Sequence, residues 1–217
     1  MQSIVLLKLG VSQSQERRLA DLQALFALAC NALAPVVSSS RCWNRVALHH
    51  LAYKGLREQF PQLGSQMVCN VIYSVCRAAR LVYQHPQSPW CVGKRAVATL
   101  PVIAFSNQVP VFFDRHTLSI KSGQASMFTL DGRLRFQLGL GEAEEARFRQ
   151  EKIKEISLEQ LSGSFYLRFV FSKSLEQPSA VQARELDLPS YLVVHNAPAQ
   201  AAAMSQQEDL NISVKAA

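Results

Sequence analysis

With 217 residues, 48% of them apolar, the chain is long enough for one large domain or two small ones, and its composition excludes wholesale disorder. No window holds the roughly 18 uninterrupted apolar residues of a membrane span, and the apolar run at Met1–Leu9 contains Lys8, which is typical of a strand and not of a secretory signal. The net charge of +7 favours a polyanionic partner, and we expect a cytoplasmic location.

The first part of the chain is predicted to form one strand and three amphipathic helices. Ser3–Leu9 has the pattern of a strand, and apolar residues at helical spacing predict helices over Glu16–Leu33, Trp43–Phe60 and Ser65–Gln84. Short loops between such helices are typical of a small bundle or an elaborated helix-turn-helix. The core-facing stripe expected for the second helix is Ala47, Leu48, Leu51, Ala52, Leu56 and Phe60.

The rest of the ordered chain is predicted to be mainly β-structure. Asp131-Gly132 predicts a two-residue hairpin turn, Ser162-Gly163 predicts a second hairpin, and Gly141–Gln150 is expected to be a helical turn or a loop. The predicted strands are Ala96–Phe105, Val109–Phe113, Leu118–Lys121, Met127–Leu130, Ile153–Leu158 and Phe165–Ser172.

This order of elements predicts an α+β fold in which an antiparallel sheet or small β-barrel is interrupted after its first strand by a three-helix domain. Residues 1–12 would supply the first strand, 13–92 the helical domain and 93–175 the barrel. Residues 176–217 would form a C-terminal extension with a short apolar patch at Tyr191–Val194. Its end, Ala199–Ala217, is rich in Ala and Gln and is expected to be disordered.

The helix predicted over Ser65–Gln84 has two different faces. Its apolar residues would contact the core, and the opposite face carries amides, an aromatic ring and guanidinium groups but no carboxylate. Amides and Arg can recognise base edges and bind phosphates, although an ordinary exposed helix face is the simpler alternative. The residues of this polar face are Gln66, Asn70, Tyr73, Arg77, Arg80 and Gln84.

The distribution of charge favours the nucleic-acid interpretation. Residues 1–113 contain eleven Lys and Arg against three acids, whereas residues 114–217 contain twelve bases and thirteen acids. No acidic residue lies between Glu58 and Asp114. A one-sided positive field suits a phosphate backbone, because each neutralised phosphate releases counterions.

The five cysteines predict neither a disulfide framework nor a metal site. Their number is odd and no Cys-x-x-Cys pair occurs, so burial as small apolar residues is the expected state. His49 and His50 are adjacent and lack the i, i+4 spacing that puts two imidazoles on one helical face. We therefore predict no cofactor and no bound metal.

Four segments have a combination of residues that is recognisable. They are the run Trp43–Phe60, the helix start Ser65-Gln66-Met67, the hairpin Phe128–Arg133 and the strand Ser164–Phe169. These segments resemble TnpB, a family of transposon-encoded RNA-guided DNA nucleases related to type V CRISPR effectors. Together they extend the resemblance over Ile4–Ser172, and their order and spacing match the N-terminal half of that family.

The resemblance implies a wedge barrel interrupted by a recognition domain, which together hold a guide RNA and recognise a short DNA motif beside the target. It places Gln66 and Asn70 at that motif, with Tyr73, Arg77 and Arg80 extending along the nucleic acid. Weaker candidates on the neighbouring helix are His50, Lys54 and Arg57.

The chain departs from the family in the nuclease region. The resemblance implies a nuclease domain with three metal-binding carboxylates, the first of which lies on an apolar strand beside glycines. Asp187 has no such glycine beside it. The residues Glu142, Glu144 and Glu145 are expected to be surface charges. We therefore predict a non-catalytic RNA-guided DNA-binding protein or subunit. Its partners would be a guide RNA, target DNA and either a separate RuvC-type nuclease, as in a split effector, or no nuclease, as in a repressor.

Three alternatives remain open from the sequence. A helix-turn-helix transcriptional regulator would bind DNA without RNA and dimerise through its β-domain. An enzyme acting alone is disfavoured because no catalytic constellation occurs, and the intact patterning of helices and strands disfavours an inactive transposon remnant.

Overall fold

The fold is α+β, as the sequence predicts. The computed structural model describes residues 3–93, 99–121, 123–172 and 188–195. Along the chain, the strands and helices are β1 (Ser3–Lys8), α1 (Gln13–Ser40), α2 (Arg45–Gln59), α3 (Ser65–Tyr83), β2 (Val102–Phe105), β3 (Val111–Phe113), β4 (Leu118–Lys121), β5 (Gln124–Thr129), β6 (Gly132–Gln137), α4 (Glu142–Gln150), β7 (Lys152–Leu161), β8 (Ser164–Ser172) and β9 (Leu192–His195).

Helix α1 is longer than predicted and forms the centre of the core. It begins with a capping box, in which the backbone N–H of Gln15 donates to Ser12 Oγ (3.3 Å) and that of Ser12 donates to Gln15 Oε1 (3.0 Å). It continues through Pro35 and ends at Arg41, whose φ is 52°. By length and hydropathy α1 could span a membrane, but half of its most apolar window is buried inside the protein.

The described strands form three separate antiparallel sheets. The largest has the order β1-β8-β7-β3, the second is β4-β5-β6, and β2 pairs with β9. Because β1 pairs with β8, the helices are inserted after the first strand of the sheet, as predicted. The predicted barrel is not seen as a closed structure, since within the described residues the three sheets do not join into one ring.

Both predicted hairpins are present, and one differs in detail. In the β5–β6 hairpin, Thr129 pairs with Gly132, so the two loop residues are Leu130 and Asp131, one position earlier than predicted. Gly132 follows the loop with a φ of 91°, a conformation that favours glycine. The β7–β8 hairpin turns at Ser162-Gly163, where both residues have positive φ.

Other segments are more regular than predicted. The segment Gly141–Gln150, expected to be a helical turn or a loop, contains helix α4, and the apolar patch at Tyr191–Val194 overlaps strand β9, which pairs with β2. The strand expected from Ala96 begins at Val102. Most of the extension predicted over 176–217, including Ala199–Ala217, lies outside the described residues.

Helices and sheets share one hydrophobic core. Buried side chains from α1, α3, β7 and β8 belong to a single cluster, which includes Phe26, Val71, Leu158 and Phe169. Helix α2 contributes less than predicted, because Leu48 and Leu56 are buried whereas Ala47 and Leu51 are exposed. The α2 stripe is therefore narrower than its apolar pattern suggests.

Helix α1 also binds a strand through a side chain. The amide of Asn31 donates to the backbone carbonyl of Phe105 (2.9 Å) and accepts from the backbone N–H of the same residue (2.7 Å). The Asn31 amide thus forms the pair of hydrogen bonds that the backbone of a neighbouring strand would form, and these bonds hold β2 against α1.

Candidate nucleic-acid interface

Helix α3 is mostly buried, and only part of its polar face reaches solvent. Its predicted apolar face, including Val68, Val71 and Val75, lies in the core. On the opposite face Arg77, Arg80 and Gln84 are exposed, whereas Gln66 and Tyr73 are half-buried. The helix therefore exposes its positive C-terminal half to solvent, whereas its N-terminal half, which carries Gln66 and Asn70, is largely covered.

Asn70 does not have the exposed position that the sequence predicted. It is 5% exposed, and its side-chain amide donates a 2.9 Å hydrogen bond to the backbone carbonyl of Phe112 in β3. A second, weak contact of 3.9 Å joins it to Met67 Sδ. A buried amide with a backbone partner cannot recognise a base edge, so the expected role of Asn70 is wrong for this structure.

Tyr73 and Arg77 meet a carboxylate from the β-sheet. The Tyr73 hydroxyl donates a 2.7 Å hydrogen bond to Glu155 Oε2, and the Arg77 guanidinium pairs with the same oxygen. Arg168 of β8 lies 3.8 Å from Glu155 Oε1. The side chain of Glu155 is 14% exposed, so this carboxylate lies deep between three donors.

These groups line a groove of about 480 Å³ between α3 and the β7–β8 hairpin. We call it the basic groove. Among the described residues that line it, five positive side chains converge from four elements, and Glu155 is the single carboxylate. Such a field attracts anions and is suited to phosphate groups. The positive residues are Arg45, Arg77, Arg80, Lys154 and Arg168.

Aromatic rings hold two of the guanidinium groups in place. The Arg45 guanidinium lies 5.4 Å from the centre of the Tyr73 ring, and that of Arg77 lies 5.3 Å from the centre of the Phe112 ring. The rings of Tyr73 and Phe112 pack edge to face at 5.2 Å. Arg45 and Arg77 are therefore oriented before any ligand arrives, which lowers the entropy cost of binding.

Burial and neighbouring charges shift the pKa values of Tyr73 and Arg77 in the basic groove. Burial raises the pKa of Tyr73, and its hydrogen bond to the Glu155 carboxylate raises it further. Burial alone would lower the pKa of Arg77, but the bond to Glu155 outweighs this and the pKa rises. At neutral pH Tyr73 is therefore a neutral hydroxyl donor and Arg77 a cation.

The other residues proposed from the sequence lie elsewhere. Gln66 lines a different and larger cavity of about 1010 Å³ beside β4 and α4. His50 and Lys54 are exposed on α2 and do not line the basic groove. Arg57 donates to the backbone carbonyl of Leu63, which gives it a structural partner in the loop before α3.

Sequence analysis missed Arg45, Lys154 and Arg168 as members of this site. Lys154 and Glu155 are adjacent in sequence, and neighbours on a regular strand point to opposite faces. A β-bulge at Lys154 breaks this alternation, because Ile153 pairs with Phe171 and Glu155 with Val170. The sequence contains no signal for that bulge, so only the structure brings these charges together.

No protein-family model matches the sequence, and no curated protein matches it. The likeness to TnpB therefore stays a prediction. Within the described residues, no three His, Cys, Asp or Glu side chains are grouped to hold a metal, and the five cysteines are unpaired.

Proposed function

We propose that this chain binds nucleic acid through the basic groove, as the RNA- and DNA-binding part of a TnpB-like RNA-guided system. The observation that carries the proposal is the convergence of Arg45, Arg77, Arg80, Lys154 and Arg168 around one carboxylate. Guanidinium groups and hydroxyls are the common donors to phosphate oxygens, and phosphate contacts fix the register of a strand without specifying sequence.

In this proposal a structured guide RNA is held by its backbone and shape in the basic groove. The β1-β8-β7-β3 sheet, with its helical insertion after β1, would correspond to the wedge barrel of that family. Gln66, half-buried at the start of α3, would be the remaining amide near a DNA motif beside the target. The proposed role is binding and includes no nuclease step.

The second candidate, a helix-turn-helix regulator without RNA, receives less support from the geometry. A recognition helix must present its N-terminal side chains to base edges in the major groove. Near the start of α3, Met67 and Val68 are buried and Asn70 is bonded to β3. The positive charges instead surround a groove, which suits a strand better than an inserted helix.

A salt titration with matched variants tests the proposal. The double variant Arg80→Ala, Lys154→Ala removes two exposed charges from the basic groove, and Arg147→Ala, Lys121→Ala removes two exposed charges outside it. Binding of a fluorescent 20-nucleotide RNA is measured by anisotropy between 50 and 300 mM KCl. The slope of log K against log salt should become shallower by about 1.4 in the first variant and stay unchanged in the second.

Two results would contradict the proposal. One is equal slopes for the groove variant and the wild type, because the basic groove would then hold no phosphates. The other is purification of an RNA-free dimer that binds duplex DNA and not RNA, which would favour the regulator. Co-purifying, RNase-sensitive nucleic acid, when sequenced, would identify the guide.

A further inference from the structure

A small pocket opens beside the basic groove, on the side of Arg77 that faces β3 and the segment before β9. We propose that it binds one unpaired nucleobase of the strand whose phosphates lie in the basic groove. The pocket has a volume of about 290 Å³ and lies between Phe112 and Tyr191. This inference rests on the proposed nucleic-acid binding and adds the class of ligand, a strand with at least one unstacked base.

The basic groove and the pocket are adjacent and share lining residues. Arg77, Glu155 and Arg168 line both of them. A phosphate that pairs with Arg77 would therefore have its own nucleotide at the mouth of the pocket. In a paired duplex the base points to the opposite strand, so only an unpaired nucleotide can turn its base inward.

Part of the pocket's lining is apolar. Its apolar residues include Phe112, which is 6% exposed, Tyr191, and the prolines Pro110 and Pro189. Burial raises the pKa of Tyr191, so its ring stays a neutral phenol at physiological pH. Aromatic side chains of this kind stack on the faces of unpaired bases, a contact that tolerates every base type.

Polar side chains in the lining can form hydrogen bonds that the apolar residues cannot. The side-chain amides of Gln108 and Gln160 and the hydroxyl of Ser190 line the pocket, and none of them makes a hydrogen bond within the described part of the chain. Amides both donate and accept, so they can pair with the edge of a base. Glu159 is already engaged, since Ser157 Oγ donates to it at 2.8 Å and Arg168 lies 4.0 Å away.

The size of the pocket limits the ligand. A volume near 290 Å³ is at the small end of ligand pockets and suits one or two fused rings, not a folded peptide. Its polar lining offers hydrogen bonds to the edge of a ring, and the neighbouring positive charges belong to the phosphates of the same strand. A single nucleobase satisfies both conditions.

The test compares two hexamers of RNA that carry the same number of phosphates. In the first, 2-aminopurine occupies the third position of oligo-uridine, and in the second every position is abasic, so that no neighbouring base can enter the pocket in its place. Wild-type protein should bind the first about tenfold more tightly, which corresponds to about 1.4 kcal/mol, and the 2-aminopurine fluorescence should change on binding, because the base stacks in the pocket. The salt slopes of the two hexamers should be equal.

Variants assign the effect to the pocket. Tyr191→Ala should bring the ratio of the two affinities close to one without changing the salt slope, whereas Tyr191→Phe should keep the ratio. Tyr53→Ala, a substitution of a half-buried tyrosine on α2, is the matched control and should also keep it. If Tyr191→Ala fails to fold, Gln160→Ala should lower the ratio several-fold through loss of the base-edge contact.

The outcomes separate the two proposals. Salt-dependent binding of both hexamers with equal affinity overturns the base pocket and leaves the basic groove intact. Absence of salt-dependent binding of either hexamer overturns both. A ratio that Tyr191→Ala leaves unchanged also overturns the base pocket, because the preference would then arise elsewhere.

Discussion

The hydroxyl of Tyr73 on α3 donates a 2.7 Å hydrogen bond to Glu155 Oε2 on β7, across 82 residues of sequence. The same carboxylate oxygen pairs with Arg77, and Arg168 approaches its other oxygen at 3.8 Å. One acidic group thus joins the helical insertion to the sheet and gathers donors around it, for which it competes with a phosphate. Glu155 is central both to the architecture of the basic groove and to its charge.

Replacing Glu155 with Gln should strengthen binding of RNA. The amide keeps an acceptor for Tyr73 but removes the negative charge that competes with a phosphate for Arg77. We expect a tighter complex with the 20-nucleotide RNA at 50 mM KCl and a salt slope steeper by about 0.7. Anisotropy titrations measure both quantities.

The control for this change is Glu58→Gln, which removes an exposed carboxylate from α2 outside the basic groove. A weaker complex for Glu155→Gln would show the opposite role, in which the carboxylate orders Arg77 and Tyr73 for binding. An unchanged affinity and slope would mean that no phosphate reaches Arg77.

Replacing Asn70 with Ala should lower stability and leave binding unchanged. The substitution removes the hydrogen bond to the buried carbonyl of Phe112, and an unsatisfied buried polar group costs about 1–3 kcal/mol. Urea denaturation followed by circular dichroism measures this free energy. Gln66→Ala, at a half-buried position on the same helix, should cost less than Asn70→Ala.

A base-reading role for Asn70 would give a different pattern. The stability of Asn70→Ala would then match that of the wild type, and the affinity of the folded variant would fall for one DNA sequence more than for others. Such a result would restore the expectation based on the sequence and contradict the buried position.

Tyr83 should make stability depend on pH in alkaline solution. Burial raises its pKa from 10 to about 12, and its hydroxyl donates to the backbone carbonyl of Pro101. The folded state therefore holds this proton more tightly than the unfolded state. Its contribution is complete below about pH 10 and is lost as the pH rises through about 12.

The measurement is the free energy of unfolding of wild type and Tyr83→Phe at several values between pH 9 and 12. The variant is expected to be less stable at pH 9, because it lacks the hydroxyl that reaches Pro101. The difference between the two proteins should shrink as the pH rises. A difference that stays constant with pH would show that Tyr83 ionises equally in both states.

The sequence predicted the secondary structure well where local chemistry decides it. The β7–β8 hairpin was predicted at Ser162-Gly163 between two apolar runs, and both residues adopt a positive φ there. The core face of α3 follows from helical periodicity, because side chains at i, i+3 and i+4 share one face. These features depend only on residues close together in the chain.

The candidate site could be predicted only in part for the same reason. Arg77 and Arg80 were found because they lie on one helix, but Lys154 and Arg168 lie far away in sequence and reach the basic groove through strand pairing and a bulge. Helical periodicity placed Asn70 on the polar face, and it could not reveal that β3 would cover that face. The polar face of α3 contains no carboxylate, and its composition could not reveal that Glu155 of β7 contacts it.

The amino-acid sequence by itself determined the α+β class, the insertion of helices after the first strand, and the positive charge of the first half. Tertiary structure decided which of those charges meet, and it placed Glu155 between Tyr73, Arg77 and Arg168. The physical reason is the range of each effect. Propensity and periodicity act within a few turns or residues, whereas a binding groove is made by surfaces that only the packed core brings together.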